Sequence, residues 1–308
     1  MNAVCAKEDT CMDPETFISK YEPKKMVAIS LAVLAVALAI LGFTYLKTGS
    51  PVNLGVEFTG GTIITVPVVE SEGEITAKLA GYPVLDIREV GHRFMIQLGP
   101  MDDAEYRELS AMIDAEYQDP EIKYMGPVYS KRLQEQAKTY IPLSFLFMAV
   151  VVFLIFRTPF VSMTVILAAF SDIVIAAACM TLAGVDLSLG TVAALLMLIG
   201  YSVDSNILLN NRVLKRKGRT EEKVLGAFKT GIAMTSTTLS AVFALFLVSA
   251  FSYLVSSSFT QINILFDISI VLIFGLLAGL MNTWVMNSNA LRWYLARPKK
   301  AGARRHKR

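Results

Sequence analysis

The chain has 308 residues, of which 54% are hydrophobic and only 18% are charged, and its formal net charge is +3. About a quarter of the residues of a soluble globular domain are charged, so this composition excludes an ordinary soluble protein. The mean hydropathy of +0.51 and the clustering of the apolar residues predict a polytopic membrane protein instead.

Six apolar runs approach or exceed the roughly 20 residues that a helix needs to cross a hydrocarbon core of about 30 Å. The runs are Met26–Leu46, Tyr140–Phe156, Phe160–Ala183, Leu187–Asn210, Phe228–Leu254 and Ile262–Met286. The second run carries Pro142 near its start, where proline is tolerated. The predicted layout is an N-terminal segment at 1–25, a first span at 26–46, a soluble insertion at 47–138, five further spans within 139–288 and a basic tail at 289–308.

Basic residues fall at alternate connections between the predicted spans, and this pattern predicts the orientation. Lys24 and Lys25 precede the first span, Arg157 lies between the second and third, and two further basic groups lie in the loop after the fourth span and in the tail. The positive-inside rule therefore places both termini in the cytoplasm and residues 47–138 outside, in a multi-pass protein of the cell membrane.

The two ends of the chain admit alternative interpretations. A cleaved signal peptide has an apolar core of about 7–15 residues, which is shorter than the first span. Nucleic-acid binding by the tail is disfavoured by the small net charge, so the tail is predicted to contact anionic lipid. Cys5, Cys11 and Cys179 match neither a disulfide framework nor a metal-binding spacing.

The insertion between the first two spans has the pattern of a small α+β domain. Strands are predicted at 61–69, 84–91, 92–98 and 121–128, and helices at 71–81 and 101–117. Gly81 has the position of a residue that ends the first helix, and Gly91 with His92 leaves room only for a tight hairpin. The order β-α-β-β-α-β is typical of a ferredoxin-like sandwich. The predicted fold class is a membrane α-helical bundle of six transmembrane helices with an inserted extracytoplasmic α+β ferredoxin-like domain.

No pattern in the insertion indicates catalysis. Asp102, Asp103 and Glu105 stand at a predicted helix start, where capping and the helix dipole account for them. His92 has the place of a solvated hairpin residue. The insertion shows no nucleophile–base pair, phosphate-binding loop or metal-ligand spacing, so we expect a binding domain rather than an enzyme, without metal or cofactor.

Acidic residues inside the predicted spans are the candidates for function. Asp204 lies in "GYSVDSNILLNNRV", two helical turns or about 12 Å inside Arg212. A carboxylate at that depth is costly unless it faces the bundle interior, faces a water-filled crevice or is protonated. We therefore predict that Asp204 is a proton-relay group with Asn206 beside it, and the alternative is a packing carboxylate bonded to neighbouring hydroxyls.

Other polar residues in the spans rank behind Asp204. Asp172 lies near the middle of the third span and is the second candidate for a proton relay. Thr235 and Thr237, in the run "TSTTLS" of the fifth span, either line a wet seam or bond back to their own helix. Asp267 lies nearer the outer end of the sixth span and ranks last.

The stretch "NLGVEFTGGT" precedes the first predicted strand. By itself it is a loop that joins a membrane helix to a domain, with adjacent glycines at a tight entry into the sheet. Together with the spans, it resembles the G-x-D-F-T-G-G signature of the SecD/SecF protein-export family, although Glu57 stands where aspartate is usual. The matching positions are Gly55, Phe58, Thr59, Gly60 and Gly61. Gly200, Tyr201 and Ser202 of the fourth span, followed by Arg212, also resemble the family.

The resemblance implies a function in protein export. Members of this family pair a SecD with a SecF subunit of six spans each, and the insertion here has the size found in the SecF branch. The implied partners are SecD, the SecY channel complex, the translocating polypeptide and membrane lipid, without nucleic acid or cofactor. In the family, proton flow at the interface of the two subunits is thought to drive outer domains that hold the emerging chain.

Two positions depart from the family pattern and favour a divergent, archaeal-type branch. Asp204 follows Ser202 by two residues rather than three, and Thr230, beside Lys229, stands about where the family has an arginine. Three functions therefore stay open from the sequence: a Sec accessory subunit coupled to protons, a stand-alone proton-driven exporter of small or lipid substrates, and a purely structural partner of the channel.

Overall fold

The structure is a computed structural model that describes residues 22–90, 93–117, 120–215, 218–251 and 260–296. Several features singled out above lie outside the described residues. They are residues 1–21 with Cys5 and Cys11, the turn at Gly91 and His92, the loop at 216–217 and the part of the basic tail from 297 onwards.

The helices and strands are numbered in chain order. The helices are α1 (Pro23–Thr48), α2 (Val56–Thr59), α3 (Glu72–Lys78), α4 (Asp103–Glu116), α5 (Pro127–Phe156), α6 (Pro159–Leu182), α7 (Leu189–Lys215), α8 (Thr220–Ala250), α9 (Thr260–Met281) and α10 (Ser288–Ala296). The strands are β1 (Gly61–Pro67), β2 (Val84–Val90), β3 (Arg93–Leu98) and β4 (Glu121–Met125). A π-helix, Asn282–Asn287, joins α9 to α10.

Within the described residues, six helices are long and apolar enough to cross a membrane, namely α1, α5, α6, α7, α8 and the continuous helix from α9 to α10. The chain is therefore a multi-pass membrane protein, as predicted. The helix ends differ from the apolar runs, because polar residues continue several helices. The clearest case is α5, which begins at Pro127, so Pro142 lies in the helix interior rather than near its start.

Helix α6 forms the centre of the bundle. In its most apolar window 61% of the residues are buried, against 6% for α5, whose surface therefore faces outward. Helices α7 and α9 pack along α6, and α1 covers it from another side through Leu34 and Ala37, which meet Val174 and Ala178. α8 completes the bundle by packing against α7 and α9.

The soluble insertion forms one four-stranded antiparallel sheet with the strand order β2-β3-β1-β4. Helices α3 and α4 cover one face, where Ile64 and Ile96 pack against Ile75 and Leu109. Strands and helices follow one another in the predicted order. The predicted end of the first helix is wrong, because α3 ends at Lys78 with Leu79 as its C-cap, and Gly81 lies beyond it.

The capping interpretation of the acids before α4 is confirmed. The Asp102 side chain caps the helix, and the Glu105 carboxylate accepts a hydrogen bond from the Asp102 backbone N–H at 3.2 Å. The predicted last strand is shorter than expected, because β4 ends at Met125 and Pro127 already starts α5. The sheet therefore passes directly into a span helix.

Candidate functional site in the helical bundle

Asp172 is the centre of a buried polar cluster. It lies on α6 with 1% of its surface exposed. Its Oδ2 accepts a hydrogen bond from Ser202 Oγ on α7 at 2.5 Å, and its Oδ1 accepts one from Asn282 Nδ2 in the π-helix at 2.6 Å. Both donors are uncharged, and an ionised carboxylate buried without a cation is costly. The arrangement is therefore suited to a group that takes up and releases a proton.

A second layer of amides extends the cluster along α7. Asn206 Nδ2 donates to the backbone oxygen of Ser202 at 2.8 Å, and Asn206 Oδ1 accepts a hydrogen bond from Asn287 Nδ2 at 2.6 Å. Asn206, Asn282 and Asn287 are completely buried. Asn206, named with Asp204 from the sequence, thus belongs with Asp172 instead.

The two π-helix asparagines were missed by sequence reasoning. The predicted sixth run ended at Met286, so Asn287 fell outside it. A signal was present, because "NTWVMNSN" places three asparagines at the end of an apolar run. Such π-helical turns are rare and frequently occur at functional sites.

Glycines bring the helices of the cluster close together. A Cβ on Gly279 would lie 3.5 Å from Asp172 Oδ2, and one on Gly275 would lie 2.0 Å from Leu198 Cδ1. One on Gly231 would lie 2.2 Å from the Trp284 ring. Small residues at these positions therefore permit close helix contact.

Asp204 does not join this cluster. Two residues turn an α-helix by about 200°, so Asp204 points away from Ser202 and Asn206, which occupy the inner face of α7. Asp204 is exposed, on the same outward face as Ala193 and Gly200. Asp204 therefore does not face the interior of this chain's own bundle, which was one of the environments expected for it.

The hydroxyls of Thr235 and Thr237 on α8 bond within their own helix. Thr235 Oγ1 donates to the Gly231 oxygen at 3.0 Å, and Thr237 Oγ1 donates to the Met234 oxygen at 2.7 Å. Of the two interpretations of the "TSTTLS" run, back-bonding is the one observed for both threonines.

Arg212 connects α7 to α8. Its guanidinium donates to Thr230 Oγ1 at 2.6 Å and to the backbone oxygen of Gly226. Thr230 stands about where the family pattern has an arginine. In this chain a guanidinium reaches that position from α7.

The segment around the paired glycines is a joint between the sheet and the bundle. The Gly55 N–H donates to the Leu187 oxygen at 3.0 Å, and the Leu187 N–H donates to the Asn53 oxygen at 2.7 Å. The Gln134 amide on α5 donates to the Phe58 oxygen at 2.6 Å. The joint therefore ties the loop between α6 and α7 to α5 and to the first strand.

The joint contains a carboxylate paired with a lysine of the sheet and two glycines with positive φ. Glu57 is 5% exposed and pairs with Lys123 Nζ on β4 at 2.5 Å, so its charge is compensated. Gly60 has φ 79° and Gly61 has φ 125°, both in the region that favours glycine. A Cβ on Gly61 would lie 2.2 Å from the Leu98 oxygen.

The uncovered face of the sheet lies over the bundle and encloses a cavity of about 380 Å³. Asp86 and Arg88 of β2 line it from the sheet, and Asp186 and Asp267 line it from the bundle. Burial raises the pKa of Asp186, and the Arg88 charge opposes that shift. Asp267, ranked last from the sequence, is thus remote from the Asp172 cluster and faces this cavity.

The described residues hold no group of three or more histidine, cysteine, aspartate or glutamate side chains that would bind a metal ion. What the bundle offers chemically is a carboxyl group held by neutral donors, with amides extending from it along one side of α7.

Family comparisons cover both parts of the chain. The family described as "Protein export membrane protein SecD/SecF, C-terminal" matches residues 105–297, and the "SecD/SecF GG Motif" matches residues 48–72. The second match contains the joint described above.

Individual proteins are similar along most of the chain. The protein-export membrane protein SecF of Methanolacinia petrolearia is 44% identical over 92% of this chain and 97% of its own length. The protein of the same name from Haloferax volcanii is 40% identical over 91% of this chain and 96% of its own length. A crystal structure of SecDF in a super-membrane-facing form shares the fold with a TM-score of 0.55 at 21% identity, over 89% of this chain and 38% of the SecDF chain.

Proposed function

Because the chain belongs to the SecD/SecF family of protein-export membrane proteins, we propose that it is a SecF-type accessory subunit that pairs with SecD and assists polypeptide export through the SecY channel. The observation that carries the proposal is the similarity to SecF proteins along nearly the whole chain, spans and domain included. It favours this function over the stand-alone exporter.

The inserted domain, which contains the four-stranded sheet, is proposed to face outside the cell and to contact the emerging polypeptide. Its strand order β2-β3-β1-β4, with both helices on one face, supports a ferredoxin-like classification. The charge distribution supports a cytoplasmic location of both termini in a cell-membrane protein. A cysteine at Lys217 tests the orientation, because labelling by an impermeant reagent from outside intact cells would reverse it.

The assembly is tested by purification from native membranes. A tagged chain should bring down SecD and the SecY complex, identified by mass spectrometry. Recovery of a homodimer alone would contradict the accessory function and restore the stand-alone exporter.

The proton role is proposed for Asp172 in the interior and for Asp204 on the outward face, where a partner subunit would cover it. The role of Asp172 is supported by its neutral hydrogen-bond donors. The role of Asp204 is supported by the free-energy cost of exposing a charged carboxylate to lipid. Asp172→Asn and Asp204→Asn keep the side-chain shape and remove the ionisable group.

Export rate per assembled complex, with and without an imposed proton gradient, decides between the two acids. We expect the functional variant to lose the stimulation by the gradient while its assembly with SecD survives. Asp114→Asn, a change at an exposed acid of α4, is the matched control and should behave as wild type. Wild-type stimulation in both span variants would leave the subunit as a structural partner of the channel.

A further inference from the structure

Three polar side chains form a buried line along α7. Ser202, Asn206 and Asn210 recur every four residues, so they lie on one side of the helix over about 12 Å. Ser202 is 2% exposed, and both asparagines are fully buried. The line begins at the Asp172 carboxyl group and ends at the level of Arg212, at the bundle end opposite the domain.

Several atoms along this line have no hydrogen-bond partner in the described part of the chain. They include both side-chain polar atoms of Asn210, Oδ1 of Asn282 and Oδ1 of Asn287. Ser162 Oγ, buried near the start of α6 at the same end of the bundle, is in the same situation. Leaving such groups unpaired in an apolar medium is costly, whereas water that bridges two to four polar groups removes the cost.

The bundle on the other side of Asp172 is mostly apolar, although the buried hydroxyl of Tyr201 lies against it. Ala176, Met180, Ala194 and Val271 pack there in one buried hydrophobic cluster. Leu198, one turn from Ser202, fills the space that Gly275 leaves open. A Cβ at position 275 would lie only 2.0 Å from Leu198 Cδ1, so a larger residue would clash there. Dense apolar packing therefore begins directly beside the carboxyl group.

We propose that a chain of water molecules enters the bundle at the Arg212 end, runs along Asn210, Asn206 and Ser202, and stops at Asp172, where Leu198 seated against Gly275 closes the path toward the domain. The physiological use of this water chain rests on the proposed function, in which Asp172 binds and releases a proton. A proton bound by an Asp172 oxygen comes from the nearest water of this chain, which is replenished from the solvent at that end. The site is thus open to one side of the membrane only.

A footprinting experiment on the unmodified chain tests the water directly. Brief X-ray radiolysis of the protein in nanodiscs produces hydroxyl radicals from bound as well as bulk water. Met286, 2% exposed and next to Asn287, should be oxidised, whereas the fully buried Met180 of the apolar cluster should stay protected. Equal protection of the two methionines would overturn the proposal, because a dry bundle treats them alike.

Cysteine accessibility tests the side from which water enters. In a chain with Cys5, Cys11 and Cys179 replaced by serine, Asn210→Cys is compared with Leu209→Cys, since both positions are fully buried on adjacent residues. A small impermeant thiosulfonate should modify Asn210→Cys from the Arg212 end at least about tenfold faster, because the reactive thiolate forms only where water solvates it. Reaction from the domain side, or equal rates for the pair, would refute the path.

These outcomes are separate from those of the export assay. If Met286 is oxidised and the gradient still stimulates export normally in Asp172→Asn, the water chain is supported and the proton role of Asp172 is not. If Met286 is protected and Asp172→Asn loses the stimulation, the proton role is supported and the water chain is refuted.

Discussion

Replacing Gly61 by alanine should destabilise the joint between the sheet and the bundle. Gly61 begins β1 with φ 125°, and a Cβ there would lie 2.2 Å from the Leu98 backbone oxygen of β3. The obstructing atom belongs to the backbone of the neighbouring strand. Alanine at this position therefore forces β1 and β3 apart, rather than displacing a flexible side chain.

The size of the effect follows from two terms. A non-glycine residue in this region of φ costs roughly 1–3 kcal/mol. Separation of the strands at Thr62 and Leu98, the first pair of their register, removes at least one ladder hydrogen bond worth about 1 kcal/mol. A loss of about 3 kcal/mol corresponds to a roughly 100-fold larger population of the open state, at 1.4 kcal/mol for each factor of ten.

Hydrogen exchange of the full chain in nanodiscs measures that opening. Peptides covering 61–67 and 93–98 should exchange roughly 100-fold faster in Gly61→Ala, if local opening governs their exchange. Gly73→Ala is the control, because Gly73 lies in exposed α3 with nothing within 4 Å of its added Cβ and alanine favours helix by about 0.5–1 kcal/mol. Wild-type protection of both peptides in Gly61→Ala would refute the reasoning.

Three further substitutions give sharp outcomes. Lys123→Met leaves the Glu57 carboxylate buried without its cation, so thermal denaturation should show a loss of about 3–5 kcal/mol, partly recovered when Glu57→Gln is added. Gly231→Ala places a Cβ 2.2 Å from a tryptophan ring and should destabilise the bundle by about 1–3 kcal/mol, with a change in tryptophan fluorescence. The hydrogen bond to Asp103 raises the pKa of Tyr124 to about 12. This hydrogen bond therefore stabilises the fold fully below about pH 10, and the stabilisation is lost as the pH rises toward 12. The stability of Tyr124→Phe, measured against pH, should lack that loss.

The architecture could be predicted because it depends on hydrophobicity summed over many residues. Six apolar runs and the alternating strands of the insertion are long-range patterns that no single residue changes. Helix ends depend on local hydrogen bonds instead. α5 starts at Pro127 because Gly126 and Pro127 supply a favourable first turn directly after β4, while hydropathy registers only the later apolar part.

The candidate site was only half predicted, and the reason is rotational phase. Sequence position gives the depth of an acid in a span, and on that basis Asp204 ranked above Asp172. Which side of α7 faces inward depends on its packing against α6 and α9, and that packing selects Ser202 and Asn206. Asn282 reaches Asp172 from a π-helical turn, whose hydrogen-bond pattern has no clear hydropathy signal.

The polar cluster and the joint are mechanically connected through one short loop. Asp172 on α6 is bonded to Ser202 on α7, and the loop between these two helices is bonded through Leu187 to both Asn53 and Gly55 of the joint. Under the proposed function, a change of charge at Asp172 would alter the contact of α6 with α7, and the loop would pass a relative shift of the two helices to the base of the sheet. A displacement of the domain by the proposed emerging polypeptide would act along the same bonds in the opposite direction. Reciprocity of this kind is required of any coupling between two sites, so chain binding to the domain and proton binding at Asp172 must influence each other equally if they are coupled at all.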